Sequence, residues 1–310
     1  MIDATGFVAD TWELFGWRMT SNYVSAWEHA QLRDEIKEWS GWCAGWSERA
    51  RRHAERGEQA AAGGRSATAA SAYITAGLFY HWASFLAVGD LAQFRAALES
   101  AEASFASAAP HVEHPMEISN IPFEGTQLRG YFRRPRGASG RVPVIVLSPG
   151  ADSTKEELYD LGDHILRRGI AVYCVDGPGQ GLVSFDLKLR AESEGPLRAA
   201  VDHVLERDDV DPDRVALGGI SYGGMFAIRA AAFDERVKAV VSMSSWYAAG
   251  GRYRQAHPVT RAALRQYMGP DPDAVQNSLT LAGVASRLRA PLLQVYGGRD
   301  ASSPPEQGER

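Results

Sequence analysis

The sequence predicts an α/β protein: a mostly parallel sheet with helices on both faces, preceded by an all-helical segment. Three observations carry this reading. From residue 142 onward, short continuous apolar runs alternate with helical segments, the pattern of strands buried on both faces. The residues before 114 have helical spacing instead. A Gly-x-Ser-x-Gly string, Gly219-Ile220-Ser221-Tyr222-Gly223, sits between a short strand and a helix.

Two segments follow from these patterns, a helical one over 1–113 and an α/β one over 114–310. In the first, Trp12 to Trp27 and Ala30 to Glu55 read as helices, and the Gly- and Ala-rich stretch Arg56 to Ser66 as their connector to the next. From Ala70, the positions Tyr73, Ile74, Gly77, Leu78, His81, Trp82 and Phe85 share the face of a further helix. Gly89 and Asp90 interrupt the chain, and Leu91 to Ala108 resumes helical spacing before Pro110. Seven of the eight tryptophans precede Phe85. They suit the core of a helical bundle, and some of them, Trp82 included, are also candidates to line a pocket for an aromatic substrate.

At His111 to Pro115 the pattern changes. Met116 to Ile121 and Leu128 to Phe132 predict a hairpin turned by Glu124-Gly125-Thr126. Val142 to Leu147, Ile170 to Val175, Val215 to Gly218, Val237 to Met243 and Pro291 to Tyr296 predict strands. Helices are expected over Lys155–Arg168, Glu192–Glu206 and Tyr222–Ala232. The stretch from Ser245 to Ala290 is too long for a plain crossover and predicts a small helical insertion.

Composition narrows the function. The chain of 310 residues is 45% hydrophobic and 23% charged, with net charge -5, and its mean hydropathy is -0.26. Charges of both signs are interleaved from Arg33 to Glu58, so that run is a solvated helix surface and no basic face for nucleic acid is expected. The two cysteines, Cys43 and Cys174, are far apart, and Cys174 lies in an apolar run as a core thiol. Neither a disulfide framework, a metal site nor a cofactor is expected. The N-terminus lacks the pattern of a signal peptide, and no apolar run is long enough for a membrane span, so the expectation is a cytoplasmic protein.

Chemistry concentrates at Ser221. A serine on a sharp strand-to-helix turn needs small residues two before and two after it, met by Gly219 and Gly223. The turn lifts the hydroxyl off the sheet, and the helix N-terminus favours a developing oxyanion. Acyl transfer needs two oxyanion donors; the backbone amides of Ala151, in the loop after Val144–Leu147, and of Tyr222 are the candidates. Gly150 lets the backbone approach a substrate closely. The acid should follow a later strand, and Asp300 in Gly297-Gly298-Arg299-Asp300 has that place. Asp152, Trp246 and Tyr247 join Trp82 as candidate pocket residues. The loop Asp176-Gly177-Pro178-Gly179-Gln180-Gly181 has the wrong spacing for a phosphate cradle and reads as a tight loop beside the site.

A triad in this order also needs a histidine after the acid. All eight histidines precede Asp300. His81 suits a packed helix face, His164 and His203 lie on sheet-covering helices, and His257 lies in the inserted segment. The expectation is that the base, with a last strand and helix, lies beyond Arg310.

The succession of a helical segment, Y-I-T-A-G-L-F-Y-H-W, A-D-S-T-K-E-E, D-G-P-G-Q-G, G-I-S-Y-G-G and G-G-R-D resembles one branch of the α/β-hydrolases. That branch includes 2,6-dihydroxypseudooxynicotine hydrolase and fungal hydrolases that shorten heptaketides. The resemblance implies an α/β-hydrolase fold with Ser221 as nucleophile, Asp300 as triad acid, and Ala151 with Tyr222 as oxyanion amides. It further implies hydrolysis of a carbon–carbon bond next to a carbonyl, in an aryl ketone or polyketide. An esterase, lactonase or thioesterase would use the same residues. A binding protein without a base is the third reading, and the helical segment is a candidate dimerisation element.

Overall fold

A computed structural model of the chain describes residues 5–86, 89–192, 194–300 and 302–309. The chain forms two compact units. One comprises the residues up to Pro115 together with His257–Ala263, and the other comprises Met116–Ala256 and Leu264–Arg310.

Five helices build most of the first unit: α1 (Thr5–Thr20), α2 (Ala26–Glu35), α3 (Trp42–Ala62), α4 (Ser66–Ser84) and α5 (Leu91–Ala108). Its core is aromatic. Trp46 and Phe79 meet edge to face at 5.3 Å, Trp82 and Phe85 at 5.0 Å, and Trp12 lies 4.7 Å from Trp42. Buried indoles need partners, and Trp42 Nε1 finds one by donating to the Trp82 carbonyl at 2.8 Å. Two helical glycines let these faces approach. A methyl on Gly57 would stand 2.7 Å from the Tyr73 ring, and one on Gly77 would stand 2.5 Å from the Phe105 ring.

Three sequence expectations are corrected here. The helix expected from Trp12 to Trp27 breaks at residues 21–25, where Ser25 caps a new helix by accepting from the Glu28 amide at 3.1 Å. Ser25-Ala26-Trp27-Glu28 is a capping box, whose serine oxygen satisfies a donor that the helix cannot. The helix expected over Ala30–Glu55 is split by residues 36–41 into α2 and α3. The expected connector Arg56–Ser66 is mostly α3, because its alanines favour helix; the turn comes only at Gly63 and Gly64, the latter with φ 69°.

The second unit holds strands β1 (Met116–Ile118), β2 (Ile121–Phe123), β3 (Thr126–Arg133), β4 (Val142–Ser148), β5 (Ala171–Asp176), β6 (Val210–Ile220), β7 (Val237–Met243) and β8 (Leu292–Val295). They form one sheet in the order β1-β3-β5-β4-β6-β7-β8, with β2 also paired to β3. β3 runs antiparallel to β1, β2 and β5, and the strands from β5 to β8 are parallel. The hairpin expected from Met116 is broken at Ser119 and Asn120. There Asn120 Oδ1 takes the Gly130 amide, so two short strands pair with one long one. β6 extends well beyond the four residues expected of it.

The sheet-covering helices are α6 (Tyr159–Leu166), preceded by a 3-10 turn at Lys155–Leu158, α7 (Glu194–Leu205) and α8 (Tyr222–Ala231). Between β7 and β8 run α9 (Arg252–Gln255), α10 (Pro258–Met268) and α11 (Pro272–Ser278). No described helix is long and apolar enough to cross a membrane.

Strand order positions the site. From β4 the chain passes to β5 on one side and later to β6 on the other, so the connections diverge between β4 and β6. Open α/β sheets place function at such a switch point, outside the carboxyl ends of the strands. Ser148 pairs with Gly219, and Gly219 with Ser242, so the loop after β4 and the turn after β6 leave the sheet at the same level.

The aromatic core sets a stability expectation. Trp46→Ala removes a fully buried indole and should lower the unfolding free energy by about 3–5 kcal/mol. Urea unfolding followed by tryptophan fluorescence measures it, and a loss below about 1 kcal/mol would mean that the cluster does not carry the helical unit.

Candidate active site

Ser221 has φ 55° and ψ -120°, a backbone region that costs a non-glycine residue about 1–3 kcal/mol. The surrounding chain enforces it. Ser221 donates its amide to the Met243 carbonyl at 2.8 Å, while its own carbonyl accepts from Gly224 and Met225 at 3.1 and 3.2 Å. The strand thus turns into α8 within one residue. A methyl on Gly223 would stand 2.1 Å from the Ser148 carbonyl oxygen, and one on Gly219 would stand 2.4 Å from the Gly223 carbonyl carbon. No side chain fits at either position, which is why the sequence has glycine at both.

Over this turn passes the loop after β4. A methyl on Gly150 would lie 3.5 Å from the Ser221 Cβ and 3.6 Å from Asp152 Oδ1, so the three groups share one small space. Neither the Ala151 nor the Tyr222 amide donates to another group among the described residues. The Tyr222 amide lies in the first turn of α8, outside that helix's hydrogen-bond ladder. Two unspent donors beside a serine at a helix N-terminus can hold negative charge on an acyl oxygen.

Behind the loop lies a buried charge cluster that sequence reasoning missed. The Lys155 ammonium bonds Asp176 at 3.0 Å and Glu156 at 2.8 Å, and the Lys155 amide donates to Asp176 at 2.7 Å. Tyr131 donates to Glu156 at 2.6 Å. Burial pushes the Asp176 carboxyl up to about 7, with Lys155 opposing and Glu156 adding to the rise. Burial also acts to raise Glu156, but Lys155, Thr154 and Tyr131 together hold it below the ordinary value. One cation thus serves two carboxylates out of water. The signal in the sequence was the pair of strings S-T-K-E-E and D-G-P-G-Q-G, whose link appears only when β4 and β5 are neighbours.

The Tyr222 side chain points into a second group of residues. Its ring stacks on Trp246 at 5.4 Å, the Arg252 guanidinium lies 4.2 Å over the other ring, and Gln276 donates to the phenol at 2.8 Å. Burial raises the Tyr222 phenol far above its ordinary value, with the Asp152 charge adding to the rise. Asp152 thus borders the space beside the Ser221 Cβ, and Trp246 packs on the side chain of Tyr222, the residue after it. Tyr247 instead lines a cavity with Ser245, Trp246, Leu281 and Tyr296. Trp82 is fully buried in the core of the helical unit, beside Trp46 and Phe85.

Asp300 follows β8 as expected, in a turn where its Oδ1 accepts from the amides of Ser302 and Ser303, each at 2.9 Å. No imidazole within the sheet unit stands beside Ser221 among the described residues. His164 faces Asp160 on α6 at 3.7 Å, and His203 bonds Ser119 at 2.5 Å. His81 is buried against Trp82, and His257 pairs with Asp10 at 2.9 Å within the helical unit. No group of three or more His, Cys, Asp or Glu side chains among the described residues is arranged to hold a metal.

Fold and site define the class as α/β-hydrolase. Residues 28–248 match the family described as Esterase FrsA-like, and the chain belongs to that family. The α/β hydrolase pydG of an Acremonium species is 34% identical over 225 residues, covering 66% of this chain and 51% of the relative. The 2,6-dihydropseudooxynicotine hydrolase of Paenarthrobacter nicotinovorans is 29% identical over 231 residues, covering 74% and 62%. The chain thus spans about half the length of curated relatives such as pydG. Among solved structures, 2,6-dihydroxy-pseudo-oxynicotine hydrolase superposes with a TM-score of 0.84 at 24% identity, covering 94% of this chain and 84% of that one. AbyA5 superposes with a TM-score of 0.70, also at 24% identity, covering 90% and 81%. These superpositions establish a shared fold.

Two expectations follow from the geometry. Ser221→Gly relieves the strained backbone and should stabilise the protein by about 1 kcal/mol while removing the hydroxyl. A thermal melt showing the variant less stable than wild type would contradict the strain. Asp176 is protonated more readily folded than unfolded, its ordinary value being 3.8. It therefore contributes stability that is complete below that pH and lost as pH rises through about 7. Asp176→Asn should shrink the difference between unfolding free energies measured near about pH 5 and about pH 8. An unchanged difference would mean that Asp176 stays ionised throughout.

Proposed function

We propose that the protein is a serine hydrolase that cleaves a carbon–carbon bond next to a carbonyl, in an aryl-ketone or β-dicarbonyl substrate. The observation that carries this reading is Ser221 itself. It is held in a strained turn at a helix N-terminus, beside two backbone amides with no partner among the described residues.

In this reading a base takes the Ser221 proton and Oγ attacks the ketone carbonyl. The Ala151 and Tyr222 amides receive the oxyanion of the tetrahedral intermediate. Asp300, in the turn after β8, is the acid that would orient an imidazole base, a group that no described residue of the sheet unit brings to Ser221. Collapse breaks the carbon–carbon bond, and the departing carbanion, stabilised by its neighbouring carbonyl or ring, takes the proton. Water then attacks the acyl-enzyme, releasing a carboxylic acid and restoring Ser221. The buried Tyr222–Trp246 stack begins at the residue after Ser221, and in this reading it offers a planar substrate an aromatic, poorly hydrated surface. The relative named 2,6-dihydropseudooxynicotine hydrolase supports the choice of bond.

Hydrolysis of a simple ester needs the same groups and an easier leaving group. The family description, which names an esterase, favours that second reading. A panel of β-diketones, aryl ketones and p-nitrophenyl esters separates the two, with products identified by mass. Carbon–carbon cleavage should be found, and Ser221→Ala should reduce it by at least about 10³-fold. Turnover of esters alone would rule out the first reading, and activity retained in Ser221→Ala would rule out both.

A further inference from the structure

Gln180 is 1% exposed, on the loop after β5, and every polar atom of its side-chain amide is used on backbone. Its Nε2 donates to the Pro149 carbonyl at 2.5 Å and to the Gly150 carbonyl at 3.2 Å. Its Oε1 accepts the Gly177 amide at 2.8 Å, which fixes the orientation of the group. The loop carrying it is pinned in turn, since the Gln180 amide bonds the Gly177 carbonyl at 3.0 Å and Asp176 holds Lys155.

The consequence concerns the next amide along. A trans peptide is planar, so the Gly150 carbonyl and the Ala151 N–H point in opposite directions. Whatever holds that carbonyl aims that N–H. Glycine at position 150 frees one of the two dihedrals through which the peptide could flip, and a flip would turn a carbonyl toward Ser221 where a donor is needed. We propose that Gln180 is a positioning residue: it locks the Gly150–Ala151 peptide so that the Ala151 amide is set as an oxyanion donor before substrate arrives. The inference rests on the serine-hydrolase reading above, but concerns a residue whose side-chain amide is bonded to backbone alone.

The test compares an ester with its thiono analogue, p-nitrophenyl acetate and p-nitrophenyl thionoacetate, in the full chain. Sulfur is a weak hydrogen-bond acceptor, so the thiono substrate gains little from the amides at any stage. Gln180→Met keeps the side chain's length and loses both donors. It should lower kcat for the ester by about 10²-fold with KM changed less than about threefold, and lower thiono turnover far less. Gln180→Glu, which can still accept the Gly177 amide but presents an acceptor to both carbonyls, should do the same and serves if the methionine variant folds poorly. Equal loss on both substrates would mean a merely structural role, and no loss would mean that the peptide is held by something else; either overturns the proposal. A separate readout guards the reading beneath it: a fluorophosphonate should label Ser221 of the wild type. No label and no turnover there would sink the serine-hydrolase reading, whatever the variants do.

Discussion

The approach of Gly223 to the Ser148 carbonyl is the contact on which the rest of the site depends. There is no room for a side chain between them, so β4 and the start of α8 can close only through a glycine. That closeness bends the chain at Ser221 out of the ordinary backbone regions, and the strain is held by hydrogen bonds from β7 and from the first turn of α8. Strain of this kind persists only where the surroundings over-determine it. Here a parallel sheet on one side and a helix on the other supply the restraint, and the hydroxyl is left standing clear of both.

A second constraint lies one layer back. Three ionisable groups, Lys155, Glu156 and Asp176, are almost wholly removed from water, a costly arrangement unless each is partnered. Each is, and their bonds tie the segment after β4 to the end of β5. Gln180 extends the same tie to the carbonyls of Pro149 and Gly150. The loop that passes over Ser221 is therefore braced by side chains from the neighbouring strand as well as by its own turn.

The readable parts of this chain are those whose physics is local. The turn at Ser221 occupies five consecutive residues, and its glycines are required by contacts within that turn and with the adjacent strand. The parallel strands are readable because burial on both faces makes them continuous apolar runs. Asp300 is readable because it closes such a run. The helical unit is less so: the end of α3 from Arg56 onward reads as a connector because its glycines catch the eye, although Gly57 is there to seat Tyr73. The capping box at Ser25 is present in the sequence and marks a helix start that apolar spacing alone runs through.

What escapes the sequence is whatever joins distant segments. Gln180 and Gly150 are thirty residues apart and on different loops, Tyr222 and Gln276 are 54 apart, and nothing in either string announces its partner. The sequence by itself determined the class of fold, the serine on its turn and the place of Asp300 after a strand, because periodicity and steric need are written in neighbouring residues. Only the tertiary structure decided which carboxylates share Lys155, which ring stacks on Tyr222 and which side chain holds the Gly150 carbonyl. Those choices depend on strand order, and strand order is set by the packing of the whole sheet.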